Sequence, residues 1–212
     1  MSSKNQRTAK LYTELLHRYP DAHCSLHYNN PFQLLVATIL SAQSTDVGVN
    51  KATPGLFATF PTPHAFAVVT PEEIEPHIAT IGLFRNKAKA IHASAARIVD
   101  SYDGEVPDSM ESLLTLRGVA RKTANVVLGN IHGIPSIVVD THVTRITNLL
   151  HFVDNQNAVK IEKELAKILD KNDWTLFAHL LIDHGRAVCI ANRPRCNDCV
   201  IAEFCPSKIG DS

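Results

Sequence analysis

Nowhere in the 212 residues does an apolar run approach the length needed to cross a bilayer, which sets aside an integral-membrane helical protein. The opening Met1-Ser2-Ser3-Lys4-Asn5-Gln6-Arg7 has no signal-peptide core behind it, so no targeting segment is expected and the chain reads as cytoplasmic. Net charge is also missing. Twenty-one Lys and Arg balance 21 Asp and Glu, the pI is near 7.2, and global charge gives no support for a polyanionic partner. Aromatics are only 6% of the chain while aliphatics and alanine are abundant, which favours helix packing. No stretch alternates with period two, so the chain is predicted to be all-α. There is no internal repeat and no low-complexity segment. Cysteine is almost absent before residue 189, where Cys24 stands alone; four more crowd the C-terminal end, unlike a secreted disulfide framework.

What is present is a series of helix signals. Residues 8–19 carry Leu11, Leu15 and Leu16 on one face and stop before Pro20. Asn30-Pro31 reads as a cap followed by a first-turn proline, and residues 32–40 are apolar nearly all round, as in a buried central helix. Residues 41–46 are small and polar, a loop capping a helix that runs to about residue 60. Thr70-Pro71-Glu72-Glu73 is a capping box whose helix is expected to end at Ile81-Gly82. Further helices are predicted over 85–102, from Asp108-Ser109 onward, and over 141–151, 157–170 and 173–190. Gly133-Ile134-Pro135 is the best domain boundary.

The most informative stretch spans residues 113–145. Leu113-Leu114-Thr115-Leu116 is expected to be a short apolar helix, Gly118-Val119 a tight turn, and a second helix follows with Lys122 in its first turn. A helix N-terminus offers unsatisfied N–H groups and partial positive charge, which suit a phosphate. The same field, with Arg121 beside it, disfavours an ammonium and primes Lys122 as a neutral nucleophile. Asp140 lies between a β-branched apolar run and a new helix, where a carboxylate caps the helix and can face a reaction centre. Taken singly, a snorkelling lysine, an N-cap aspartate and a helix C-cap glycine are the ordinary readings. Charge is polarised locally: Arg117, Arg121, Lys122 and Arg145 against Asp140 leave +3 over residues 117–148. Arg186, Arg193, Arg195 and Lys208 against Asp198 and Glu203 leave +2 over 186–208, and acidic stretches at 72–75 and 100–111 restore neutrality.

The second strong signal is Cys189-x6-Cys196-x2-Cys199-x5-Cys205. Four thiolates within 17 residues must converge, and both zinc and an iron–sulfur cluster accept four cysteines. Arg193 and Arg195 sit between the first two ligands as a candidate phosphate clamp. Cys24 reads as a small buried side chain.

Together, residues 113–127, 138–145 and the 6-2-5 cysteine spacing resemble the endonuclease III family of DNA glycosylases, built on a helix-hairpin-helix and Gly-Pro-Asp motif. The resemblance covers nearly the whole chain. It implies a six-helix barrel lobe over residues 24–134, and an iron–sulfur lobe made of 1–23 and 135–212 whose cysteines hold a [4Fe–4S] cluster. It further implies a monomer acting on double-stranded DNA with damaged bases or abasic sites, nucleoid-associated if bacterial. Gln43 and Leu83 match the family's inserting residues, which fill the gap left when a base is flipped out. Leu116, Arg117, Gly118, Val119, Ala120, Arg121 and Thr123 match the phosphate-gripping hairpin. Lys122 then attacks C1′, Asp140 stabilises the charge developing on the sugar, and β-elimination cuts the strand. Oxidised or ring-saturated pyrimidines are the implied substrates.

Related enzymes differ at single positions. Adenine glycosylases carry Glu where this chain has Thr38, mismatch thymine glycosylases commonly carry Tyr at the place of Lys122, and oxidised-guanine glycosylases lack the cysteine loop. One departure stands out. The usual Leu-Pro-Gly-Val-Gly-Arg-Lys is here Leu116-Arg117-Gly118-Val119-Ala120-Arg121-Lys122. If the turn needs a positive φ at Ala120, strain of about 1 kcal/mol is expected. A non-catalytic damaged-DNA binder of the same fold, or an electron-transfer metal loop, are the rival readings; the presence of both Lys122 and Asp140 argues against the first.

Overall fold

The computed structural model describes residues 3–209, and among these it contains eleven α-helices, three short 3-10 turns and no strand, so the all-α expectation holds. In chain order the helices are α1 Ser3–Arg18, α2 Pro31–Ser41, α3 Asp46–Thr59, α4 Pro63–Ala67, α5 Pro71–Ile78, α6 Phe84–Tyr102, α7 Met110–Leu113, α8 Arg121–Asn130, α9 Thr141–Leu149, α10 Ala158–Leu165 and α11 Trp174–Ala187. The chain divides into two compact units, Cys24–Ile134 and a second formed by Met1–His23 with Pro135–Ser212.

In Cys24–Ile134, α2 is the central element. Every residue from Phe32 to Leu40 except Gln33 is buried, as its all-round apolar sequence requires. Asn30 caps it, accepting from the Gln33 N–H at 2.9 Å. Helices α3, α6 and α8 pack on α2, and α4 and α5 pack on α6. A cluster of rings closes one end: Phe66 meets Phe32 at 5.4 Å and Phe60 at 5.2 Å. The second unit is organised by α11, against which α1 and α9 pack. Phe177, Ala178, Leu180 and Leu181 of α11 are fully buried, and the Arg7 guanidinium lies over the Phe152 ring at 4.9 Å.

Several boundaries differ from the sequence expectation. Helix α5 stops at Ile78 rather than at Ile81-Gly82, because the Ile81 N–H turns back to the Ile78 carbonyl at 2.9 Å. Helix α4 was not anticipated, although Thr62-Pro63 repeats the cap-plus-proline signal of Asn30-Pro31. The helix expected to open the hairpin has ended by Leu113, and tight turns lead from there to Gly118. Helices α9, α10 and α11 each end two to five residues early; α9 is closed by His151 in the left-handed region.

Candidate functional site

The hairpin is set by one glycine. Gly118 has φ +82, which a side chain rarely adopts, and a Cβ there would lie 2.9 Å from the Ala90 Cβ and 3.4 Å from an Ile39 methyl. Both conditions require glycine. The turn therefore seats on α2 and α6, and Ser94 of α6 locks it by donating to the Arg117 carbonyl at 2.7 Å. Leu113, Leu116 and Val119 point inward, at 0%, 2% and 7% exposure, and Thr123 is buried too. Their side chains are closed to any ligand, so at Leu116, Val119 and Thr123 only the backbone is open to consideration. Arg117, Ala120 and Lys122 are exposed, and Arg121 is half-buried.

Ala120 has φ −94 and ψ 171, ordinary extended backbone. The turn needs no positive φ at that position, so the conditional strain does not arise. Ala120 does differ from the residues before most other helices. Thr45, Ser109 and Asn157 cap with side-chain oxygens, but Ala120 has none to offer α8. The first backbone bond of α8 is Ala124 N–H to the Ala120 carbonyl at 3.0 Å. The N–H groups of Lys122 and Thr123 precede it, in the first turn, where the helix itself supplies no acceptor.

In the same unit the structure brings the Gln43 and Leu83 turns together. Both residues are exposed, and both are left-handed, at φ 54 and φ 58. A Cβ added at Gly82 would lie 3.7 Å from Ser44 Oγ and 3.8 Å from the Gln43 carbonyl oxygen, so the two turns lie side by side with room for one methyl group between them. Beneath them lies Lys87, only 6% exposed, its Nζ donating to the Leu40 carbonyl at 2.9 Å and to Ser44 Oγ at 3.0 Å. Burial holds this amine below the usual lysine range. Sequence reasoning missed Lys87. It lies in an alanine-rich basic helix, and nothing local distinguishes it from the exposed Lys89.

In the second unit, Asp140 caps α9: its Oδ1 accepts from the Val143 N–H at 2.8 Å. The preceding Ile137, Val138 and Val139 are buried, and Ser136 is tied through its backbone to Thr175 of α11. The apolar run thus anchors the carboxylate from behind. His142 lies against Gly185, where a Cβ would meet the ring at 2.6 Å. Burial lowers the His142 pKa, with Asp140 opposing and Arg145 and Arg186 reinforcing the shift. Arg145 turns inward, donating to the carbonyls of Gly185 and Cys189.

Cys189, Cys196, Cys199 and Cys205 are half-buried free thiols that line one cavity of about 230 Å³. Burial raises the pKa of Cys189, Cys199 and Cys205, Cys199 to about 11, and neighbouring thiols add to each. Cys199 Sγ lies 3.4 Å from His184 Nε2, and the opposite ring nitrogen meets the Tyr19 hydroxyl at 3.1 Å. Four thiols lining one cavity supply the donor chemistry of a metal centre, although no three His, Cys, Asp or Glu among the described residues are gathered about a single point. Arg193 is exposed, whereas Arg195 is already engaged, donating to the last carbonyl of α11 at Ala187 and pairing with Asp198 at 3.6 Å. No helix among the described residues is long and apolar enough to cross a membrane.

An all-helical chain presenting a glycine-turned helix-hairpin-helix is the architecture of a DNA-repair class. Residues 36–171 match the family described as HhH-GPD superfamily base excision DNA repair protein. The chain belongs to that superfamily, and within it to the endonuclease III family. It is 50% identical to the endonuclease III of Synechocystis sp. over 98% of this chain and 95% of that one. It is 40% identical to the endonuclease III of Escherichia coli over 94% of each. Among solved structures it is similar to a trapped endonuclease III–DNA covalent intermediate in an estranged-adenine complex, at 43% identity, TM-score 0.92 and 98% coverage of both chains.

Proposed function

We propose that this chain is a base excision repair DNA glycosylase and abasic-site lyase that removes oxidised or ring-saturated pyrimidines from duplex DNA, with Lys122 as nucleophile. The supporting observation is the Gly118 turn, which delivers the uncapped N-terminus of α8 with exposed Lys122 in its first turn. Backbone N–H groups there grip phosphate without reading sequence, so selectivity falls to the pocket for the extruded base. Gln43 and Leu83 enter the gap left in the stack. Arg117 and Arg193 supply phosphate charge, with Arg195 ordering its own loop as well.

In the chemical step the neutral Lys122 amine attacks C1′. The glycosidic bond breaks and the base leaves with its bonding pair, taking a proton. Opening of the sugar ring gives a Schiff base, which acidifies the C2′ hydrogens. Loss of one C2′ proton then expels the 3′ phosphate, cutting the strand, and hydrolysis of the imine frees the enzyme. Asp140 stabilises positive charge on the sugar and assists the proton transfers. The family generally carries a [4Fe–4S] cluster, and Cys189, Cys196, Cys199 and Cys205 are the residues that would hold it here. Bound there, it would cross-link the loop through iron–thiolate bonds.

Borohydride reduction of the protein on DNA carrying an abasic site or an oxidised pyrimidine is expected to give a covalent adduct, absent from Lys122→Gln. Undiminished cross-linking and nicking by Lys122→Gln would require another nucleophile and end this assignment.

A further inference from the structure

We infer that Lys87 is a positioning residue for base extrusion, joining the Gln43 and Leu83 turns into one rigid wedge registered on the α2–α6 seam. This rests on the reading of Gln43 and Leu83 as inserting residues.

A buried ammonium is retained only where strong acceptors compensate its lost hydration. Lys87 has two: the Leu40 carbonyl at 2.9 Å and Ser44 Oγ at 3.0 Å. Leu40 is in the last turn of α2, whose carbonyls lack helical partners and whose dipole favours a cation. Ser44 is the neighbour of Gln43. The backbone N–H of the same Lys87 donates to the Leu83 carbonyl at 3.1 Å. One residue therefore holds the first turn through its side chain and the second through its main chain.

Two further features indicate that the arrangement is over-determined. Gln43 and Leu83 both occupy left-handed backbone, which persists in non-glycine residues only when the surroundings enforce it. The Gly82 and Ser44 segments are also close neighbours, since a Cβ added at Gly82 would lie 3.7 Å from Ser44 Oγ. The register extends to the hairpin. Ile39, next to Leu40, and Ala90, three residues beyond Lys87 on the same face of α6, are the atoms on which Gly118 seats. The wedge and the phosphate grip thus share one reference frame. An apolar side chain at position 87 would fill the volume and keep the main-chain bond to Leu83, but it would leave the Gln43 turn free to shift against the Leu83 turn, and small misplacements of positioning groups carry large rate penalties.

The test compares Lys87→Met, which keeps the stem and loses the donors, with Lys87→Arg and the milder Ser44→Ala. Each is assayed for single-turnover excision of an oxidised pyrimidine from duplex DNA. Each is also assayed for borohydride trapping on a single-stranded abasic oligonucleotide, which has no stack to open. Lys87→Met is expected to lose on the order of 10-fold on duplex, with Ser44→Ala losing less and Lys87→Arg recovering part, while single-strand trapping holds at the wild-type level. Parallel losses on both substrates, or none on duplex, would overturn the inference. Should Lys87→Met fail to fold, an unchanged duplex rate for Ser44→Ala would do the same. Gln43→Ala and Leu83→Ala separate the two levels: normal duplex excision by them removes the wedge reading itself. Slow excision by them beside a normal Lys87→Met removes only the role of Lys87.

Discussion

The hairpin around Gly118 and the cysteine loop over residues 189–209 both bring basic side chains to the surface, yet they keep their shapes by different means. Around the hairpin, Leu113, Leu116, Val119 and the run 123–128 are buried, and the turn closes against Ile39 and Ala90. Among the described residues of the loop, Ile201 alone is buried, and its regular structure is two 3-10 turns of three residues each. A segment with so little apolar burial cannot offset its own conformational entropy. The hairpin is a product of core packing, whereas the loop has little packing of its own and turns four thiols to one cavity.

That contrast can be broken or sharpened by experiment, in descending order of effect. Cys199→Ser should cost about 4 kcal/mol or more in its own unit and expose residues 189–209 to proteolysis. Hydrogen exchange in α8 should stay protected; equal loss of protection in both units would erase the distinction. Acid should act on the same unit next. Burial, with His23 and Arg186 adding, pushes the His179 pKa from 6.5 to about 4. The folded ring resists a proton that the unfolded ring accepts, so its contribution of about 3 kcal/mol is full above pH 6.5 and is lost as pH falls toward 4. Denaturation curves at the two pH values should show the loss, and His179→Gln should remove its own share, leaving that of His184, whose pKa burial also lowers to about 4.

On the hairpin side, Gly118→Ala should cost about 2 kcal/mol through the Ala90 clash and the positive φ, with a matching fall in affinity for damaged duplex. Asp140 allows stability and chemistry to be separated. Removing the cap in Asp140→Ala should cost about 1 kcal/mol, while Asp140→Asn, an equally good cap, should leave the denaturation midpoint in place. Both should lose excision if the carboxylate charge acts on the sugar; an active Asp140→Asn would confine that residue to capping. Ala120→Gly should raise stability by about 0.5 kcal/mol, because Gly caps a helix better than Ala, and not by relieving strain, since φ −94 is ordinary backbone. Combined with Arg117→Pro, it reports whether the departure from the usual hairpin alters DNA affinity.

Local chemistry was legible in the chain. Asn30-Pro31, Thr70 to Glu73 and Asp140 marked helix starts that the structure contains, since a cap depends on residues within one turn. Gly118 was recognisable as a turn, and the four clustered cysteines as neighbours, which line one cavity. Helix ends were read less well, because each is decided by where the chain must leave to pack.

Other features depended on partners far away in sequence. Lys87 reads like any lysine of a basic helix until α2 covers it 47 residues away. His184 meets Tyr19 across 165 positions, and the Gly118 turn is demanded by Ile39 and Ala90 together. Residue order alone determined the helical class, the caps, the open helix N-terminus and the cysteine set, all of which follow from short-range geometry. Which lysine is buried, which hairpin side chains are closed to a ligand and which arginine is already engaged were decided only in three dimensions, because burial and pairing depend on what the rest of the chain packs around each group.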